Sequence, residues 1–186
     1  MVRALVCLLV VTACLAGCEV VPRISSPGDQ STKPQRLRYS SILYAKQHQF
    51  YLQDANVKQP LSQLWQGKSL SDRVVGNVGG LAVRTVTDKH VSVYLEVSDT
   101  PLAGSLDEWQ YVADAAVHVQ SGQLIIAGGT DYFPDAARIN IPGDTYQVRV
   151  MGRGMTSHDE PESEEYRVYL WPGEHRRVRV VKPLNP

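Results

Sequence analysis

The side chains that could do chemistry are few and scattered. Asp131 and Asp135 share one irregular stretch, Gly128 to Asp135, with Tyr132 and Phe133 between them. Two carboxylates suit a calcium ion, but the alternating oxygen ligands and the central glycine of a calcium loop are missing. The 5 histidines fall at 48, 90, 118, 158 and 175, and none repeats at the H-x-H or H-x-x-x-H spacing that brings two imidazoles to one zinc ion. No serine lies in G-x-S-x-G, and Gly76, Gly79 and Gly80 match neither the dinucleotide fingerprint nor the phosphate loop. The sequence thus offers no catalytic residue, no metal site and no cofactor motif. It does offer a block of acid: Asp159, Glu160, Glu162, Glu164 and Glu165. Such a block is either a solvated loop or a polyanion mimic that plugs a basic groove in a protein partner, with charge complementarity speeding the encounter. Tyr132 and Phe133 are aromatic anchors of the kind that dominate interfaces. Asp131, Tyr132, Phe133, Asp135 and the five acids of the block form the candidate partner-binding set.

Charge gives no case for two kinds of partner. The chain carries 19 Lys and Arg against 19 Asp and Glu. That balance leaves no basic footprint for nucleic acid and no polybasic surface for anionic lipid.

The beginning of the chain carries an address. Arg3 precedes an apolar run from Ala4 to Leu15. That run is signal-sized and short of the roughly 20 residues a membrane span needs. It closes on Leu15-Ala16-Gly17-Cys18, which resembles a bacterial lipobox. The resemblance implies that residues 1–17 are a lipoprotein signal peptide, that Cys18 takes a diacylglyceryl group, and that acyl chains anchor the protein to a membrane. The competing reading is an ordinary cleaved signal followed by chance by a cysteine. Glu19, where an Asp would favour inner-membrane retention, points the resemblance toward the bacterial outer membrane. Of the 3 cysteines, Cys7 and Cys14 would leave with the signal and Cys18 would become a thioether, so no disulfide or Cys metal site would remain.

Residues 18–38 read as the lipidated Cys and a flexible tether, because Pro22, Pro27, Gly28 and Pro34 interrupt a stretch with few apolar residues. From 39 to 186 the pattern has period two. Ile42, Tyr44, His48, Phe50 and Leu52 read as one face of a long strand, with His48 a core or edge histidine. Pro60 to Lys68 reads as a loop or single helical turn. Val91, Val93, Leu95 and Val97 alternate with polar residues, the clearest half-buried strand signal. Trp109, Tyr111, Ala113, Ala115, Val117 and Val119 share a face, and the turn at Ser121-Gly122 suggests a hairpin with Leu124 to Ala127. Tyr146, Val148 and Val150 follow Pro142-Gly143. Tyr166, Val168 and Leu170 precede Pro172-Gly173 and a last strand. The expectation is an all-β domain, one β-sandwich or barrel-like body of about eight or nine short strands.

The order of these features resembles the competence protein J family, inhibitors of a DNA-entry nuclease. The features are the His48-Gln49-Phe50 strand, Val91 to Val97, the pair Val112–Val119 and Leu124–Ala127, Ile139 to Val150 around Pro142-Gly143, and the Tyr166 strand. The resemblance implies a non-enzymatic protein-binding module of inhibitor or immunity type. The alternative is a structural or assembly lipoprotein of the envelope, and a hydrolase with an unrecognised site is a third reading.

Overall fold

Alternation decides the layers. In the segment HVSVYLEVS, Val91, Val93 and Leu95 are at most 1% exposed while the intervening Tyr94 is 44% exposed. Full burial of one such aliphatic side chain contributes about 1.5–3 kcal/mol. In the computed structural model, which describes residues 36–131, 133–155, 164–174 and 176–185, this segment becomes a strand of a two-sheet sandwich. The described residues belong to one compact unit, Lys33–Pro186.

The strands run β1 (Arg36–Tyr44), β2 (Gln49–Asp54), β3 (Val74–Asn77), β4 (Gly80–Arg84), β5 (His90–Ser98), β6 (Tyr111–Val119), β7 (Gln123–Gly128), β8 (Ala137–Asn140), β9 (Asp144–Arg153), β10 (Glu165–Pro172) and β11 (Arg179–Lys182). One sheet has six strands in the order β1-β5-β10-β9-β6-β11, and the other has five in the order β3-β4-β2-β7-β8. Neighbours are antiparallel except β5 and β10, which run parallel with Val93 opposite Tyr166 and Leu95 opposite Val168. The core fills the space between the sheets. Phe50, Leu52, Leu124 and Ile126 of the smaller sheet meet Val93, Val148, Val168 and Tyr166 of the larger. The Phe50 and Tyr166 rings pack edge to face at 5.1 Å. Among the described residues no helix is long and apolar enough to cross a membrane.

The all-β sandwich expected from the sequence is the fold observed; among the described residues there is no closed barrel, and there are 11 strands rather than eight or nine. Several local expectations are corrected. The long strand from Ile42 to Leu52 is two strands in different sheets, separated at Ala45–His48, where Gln47 and His48 adopt positive φ of 60° and 58°. The break reverses the face of the first half: Leu43 is buried and Ile42 is 70% exposed. His48 is exposed, and its Nδ1 lies 3.0 Å from the Val86 carbonyl oxygen. Residues 36–38, read as tether, belong to β1. The Ser121-Gly122 turn joins no hairpin, because β6 lies in the larger sheet and β7 in the smaller. Trp109 precedes β6 and packs with Val112 and Met151 on the outer side of the sheet, away from Tyr111 and the central core.

Two buried carboxylates fix the crossings between sheets. Asp54, at the end of β2, accepts bonds from the Ser121 amide and hydroxyl, both 2.6 Å, and from the Asn56 amide at 2.8 Å. Burial alone would raise its pKa. The Ser121 and Asn56 donors, with nearby His118, outweigh burial and hold the carboxyl below its ordinary 3.8. Glu164 accepts from the amides of Val86 and Thr87 at 2.6 and 2.9 Å, from the Thr87 hydroxyl at 2.8 Å, and from the Tyr166 hydroxyl. Burial, then the Glu164 charge, keep Tyr166 protonated well above the ordinary phenol range.

Candidate functional site

The two sheets treat their outer surfaces differently. On the five-stranded sheet the outer side is buried as well, Tyr51, Ala82, Ile125 and Ala127 lying beside the polar Gln49 and Gln53, and two arms roof it. Leu61, Leu64 and Trp65 from the first arm cover Tyr51 and Ala82. Phe133 from the second covers Ile125, Ala127 and Ala136. The indole N–H of Trp65 donates to Gln49 at 2.7 Å and pins the first arm.

The six-stranded sheet has an open outer side. Among the described residues only one corner is covered, where Leu102 and Leu106 pack over Trp109, Val112 and Met151. The remainder, across β1, β5 and β10, presents Arg and aromatic side chains. The inward parity of Leu43, Val91 to Val97 and Tyr166 to Leu170 sends Arg36, Arg38, Ile42, Tyr44, Tyr94 and Arg167 outward. Tyr44 stacks on His90 with centroids 5.1 Å apart. The Arg167 guanidinium lies over both Tyr94, at 5.8 Å, and Trp109, at 5.4 Å. Arg153 lies over the same Trp109 ring at 5.2 Å. A depression of about 490 Å³ runs between Arg38 and Arg167 over Tyr94 and Glu96.

Electrostatics bias this face. Arg36 and Arg38 share Glu96, Arg149 and Arg179 share Asp114, and Arg153 shares Glu165 with Arg167 and also reaches Glu108. Six guanidinium groups are thus served by four carboxylates, and the face is left positive. The Arg149–Asp114 pair is bidentate, 2.7 and 2.9 Å, and the hydrogen bond to Asp114 is the main cause of a raised Arg149 pKa. Arg and aromatic residues are the types that concentrate binding energy at interfaces, while their apolar stems and rings tolerate water when no partner is present.

Of the described residues singled out in the sequence, Glu165 lies on this face, and Asp131, Phe133, Asp135 and Glu164 lie off it. The Asp131 carboxylate accepts from the Gly128 amide at 2.7 Å and closes its own loop. Phe133 is half-buried in the roof, 6.3 Å from the Tyr51 ring. Asp135 is exposed on the loop rim. Glu164 does not join an exposed acidic face, because it is 2% exposed and saturated with donors. Glu165 faces outward but is held by Arg153 at 2.7 Å and Arg167 at 3.2 Å. Tyr132, Asp159, Glu160 and Glu162 lie outside the described residues, as does Cys18. The Arg and Tyr residues of the open face were missed because they occupy the polar alternates of the strands. The one available signal was their size: Arg, Tyr and Ile stand where Ser, Thr and Lys would serve a merely solvated face. Among the described residues no three His, Cys, Asp or Glu gather to hold a metal ion.

A sandwich of six and five strands with one roofed and one open side is therefore the architecture in hand. The same fold is found in the crystal structure of ComJ from Bacillus subtilis, described as an inhibitor of the DNA-degrading activity of NucA. The match has a TM-score of 0.61 at 10% identity and spans 76% of this chain and 99% of that one. A second solved structure, described as crocagin biosynthetic gene J, matches with a TM-score of 0.54 at 13% identity over 75% of this chain and 99% of its own. At these identities the likeness is one of fold. No family model matches the chain, and no curated protein does.

Proposed function

We propose that this domain is a non-catalytic protein-binding module of inhibitor type, tethered through a lipid on Cys18 to the bacterial outer membrane. Its contact surface is the open face of the six-stranded sheet. The observation that carries the reading is that face: Arg36, Arg38, Arg167, Tyr44 and Tyr94 stand uncovered in a fold whose opposite sheet is roofed. The partner it suits is a protein surface mixing carboxylates with apolar side chains. The fold shared with ComJ supports an inhibitory role. The acidic stretch at 159–165 would then steer or orient the partner rather than form the centre of contact.

Photo-crosslinkers at Ser40 and at Ser157 test the site in the full chain. A discrete adduct from Ser40, lost on Arg38→Glu with Arg167→Glu, supports the open face. Adducts from Ser157 alone would move the interface to the acidic loop. The adduct's identity decides the role: a toxin or nuclease whose activity the domain suppresses supports inhibition, and a component of an envelope machine supports assembly. Anchoring has its own test. Cys18→Ser should abolish labelling by a palmitate analogue, and equal label on both proteins would refute the lipid anchor.

A further inference from the structure

The roof of the five-stranded sheet is incomplete. Its two arms stand apart and leave a cleft of about 570 Å³, within the range of small-ligand sites. The floor is Tyr51 and Ile125, and the apolar walls are Leu61 on one arm and Phe133 on the other. Two cations stand among the lining residues, Lys58 and Arg138, and no Asp or Glu does. Lys58 is exposed and has no bonding partner among the described residues. Arg138 gives its Nη1 to the carbonyls of Pro134 and Ala136, at 2.8 and 3.1 Å, and its Nη2 to that of Phe133, at 3.1 Å. Those acceptors are neutral, so they position the guanidinium without cancelling its charge.

Both walls are fixed in advance. Gln53 donates to the Val57 carbonyl at 3.1 Å, Asn77 donates to Gln59 at 3.0 Å, and the Asp54 carboxylate holds Asn56. Gly79 lets the first arm approach the β3–β4 turn, since a Cβ there would meet Val57 at 2.4 Å. On the second arm Gly129 sits so close to the Lys46 carbonyl that a Cβ would fall 2.1 Å away. A cleft held open by such ties is formed before any ligand arrives, so a ligand that enters it meets little ordering cost.

We infer that this cleft binds a small organic anion with an apolar body. The hydrocarbon or ring lies on Tyr51 and Ile125 between Leu61 and Phe133, and the anionic head sits at the rim by Lys58 and Arg138. The site is on the opposite side of the sandwich from the open face, and neither reading depends on the other.

Fluorescence titration of the full chain with anilinonaphthalene sulfonate, an apolar anion, tests this against N-phenylnaphthylamine, its uncharged relative. The sulfonate should bind saturably at one site and be displaced by octanoate but not by octanol. Lys58→Glu should weaken it about 10-fold, the scale of replacing one attractive exposed charge by a repulsive one. Ser62→Trp, at an exposed lining position, should block the cleft sterically with an unchanged melting temperature. Lys46→Glu makes the same charge change outside the cleft and should have no effect, as should Arg38→Glu with Arg167→Glu. Non-saturable binding, equal affinity for the two dyes, or a sulfonate site that survives both Lys58→Glu and Ser62→Trp would each overturn the inference.

Discussion

The two sheets of this sandwich pack into one core, yet one outer surface is roofed and the other, among the described residues, is bare outside one corner. β7 is buried at every position from Leu124 to Gly128, whereas β5 alternates between buried and more exposed ones. A strand apolar on both sides needs cover on both sides, as in the interior of layered folds. A strand whose alternate positions are Arg, Tyr and Glu needs none, because those side chains shield the sheet with stems and rings while their polar ends stay wet. The lesson is that cover follows from the second half of the alternation. The smaller sheet spends its outer face on stability, with a cleft left between the arms, and the larger sheet keeps its outer face available.

That contrast can be broken most severely within one strand. Val93→Asp places an unpaired charge in the shared core and should abolish cooperative thermal unfolding. Tyr94→Asp, one residue on, should leave a melting transition close to the wild type. Should the two behave alike, the assignment of faces in β5 is wrong. Next in size is a pair of tyrosines. Tyr51→Ala removes a ring shared by both arms and should cost about 3 kcal/mol in urea denaturation, and Tyr94→Ala under about 1 kcal/mol. A similar cost for both would mean that the open face is not spare.

Asp54 gives a prediction with a pH signature. Its folded pKa is depressed, so the stability it contributes is present above the unfolded value of 3.8 and is lost as pH falls through the lower folded value. Asp54→Asn should therefore cost about 2 kcal/mol at neutral pH, and the gap from wild type should close in strong acid. A gap that stayed constant down to the acid transition would show that packing, not charge, sets the cost. The smallest effect belongs to Arg167→Ala, which removes two ring contacts and one partly exposed ion pair. About 1 kcal/mol of stability is expected, with a far larger loss in partner crosslinking from Ser40.

Much of the larger sheet was legible, because β5, β9 and β10 each carry one apolar face and nothing interrupts them. The break after β1 was not. Positive φ at Gln47 and His48 has no marker such as glycine, so the period-two pattern seemed to run on from Ile42 to Leu52 while the true strand had changed face. The crossing at Ser121-Gly122 was hidden for a similar reason. A short turn between two strands suggests a hairpin, and only the distant Asp54 carboxylate reveals that it bridges sheets. At the candidate site, acid and aromatic residues in loops drew the reading. Glu164 shows why that signal misleads: two consecutive glutamates take opposite roles, one sealed inside and one at the surface. Charge alone does not distinguish them, since the burial of Glu164 depends on Val86 and Thr87, 78 and 77 residues away.

The parallel pairing of β5 with β10 also governs the order in which the molecule can be made. The middle of the larger sheet joins residues near 95 to residues near 168, and β9, which flanks β10, is reached only after the chain has passed through both sheets. Closing so wide a loop is entropically costly before any packing rewards it, and chains dominated by such distant pairings fold slowly. A ribosome would have to release nearly the whole polypeptide before this sheet could be completed.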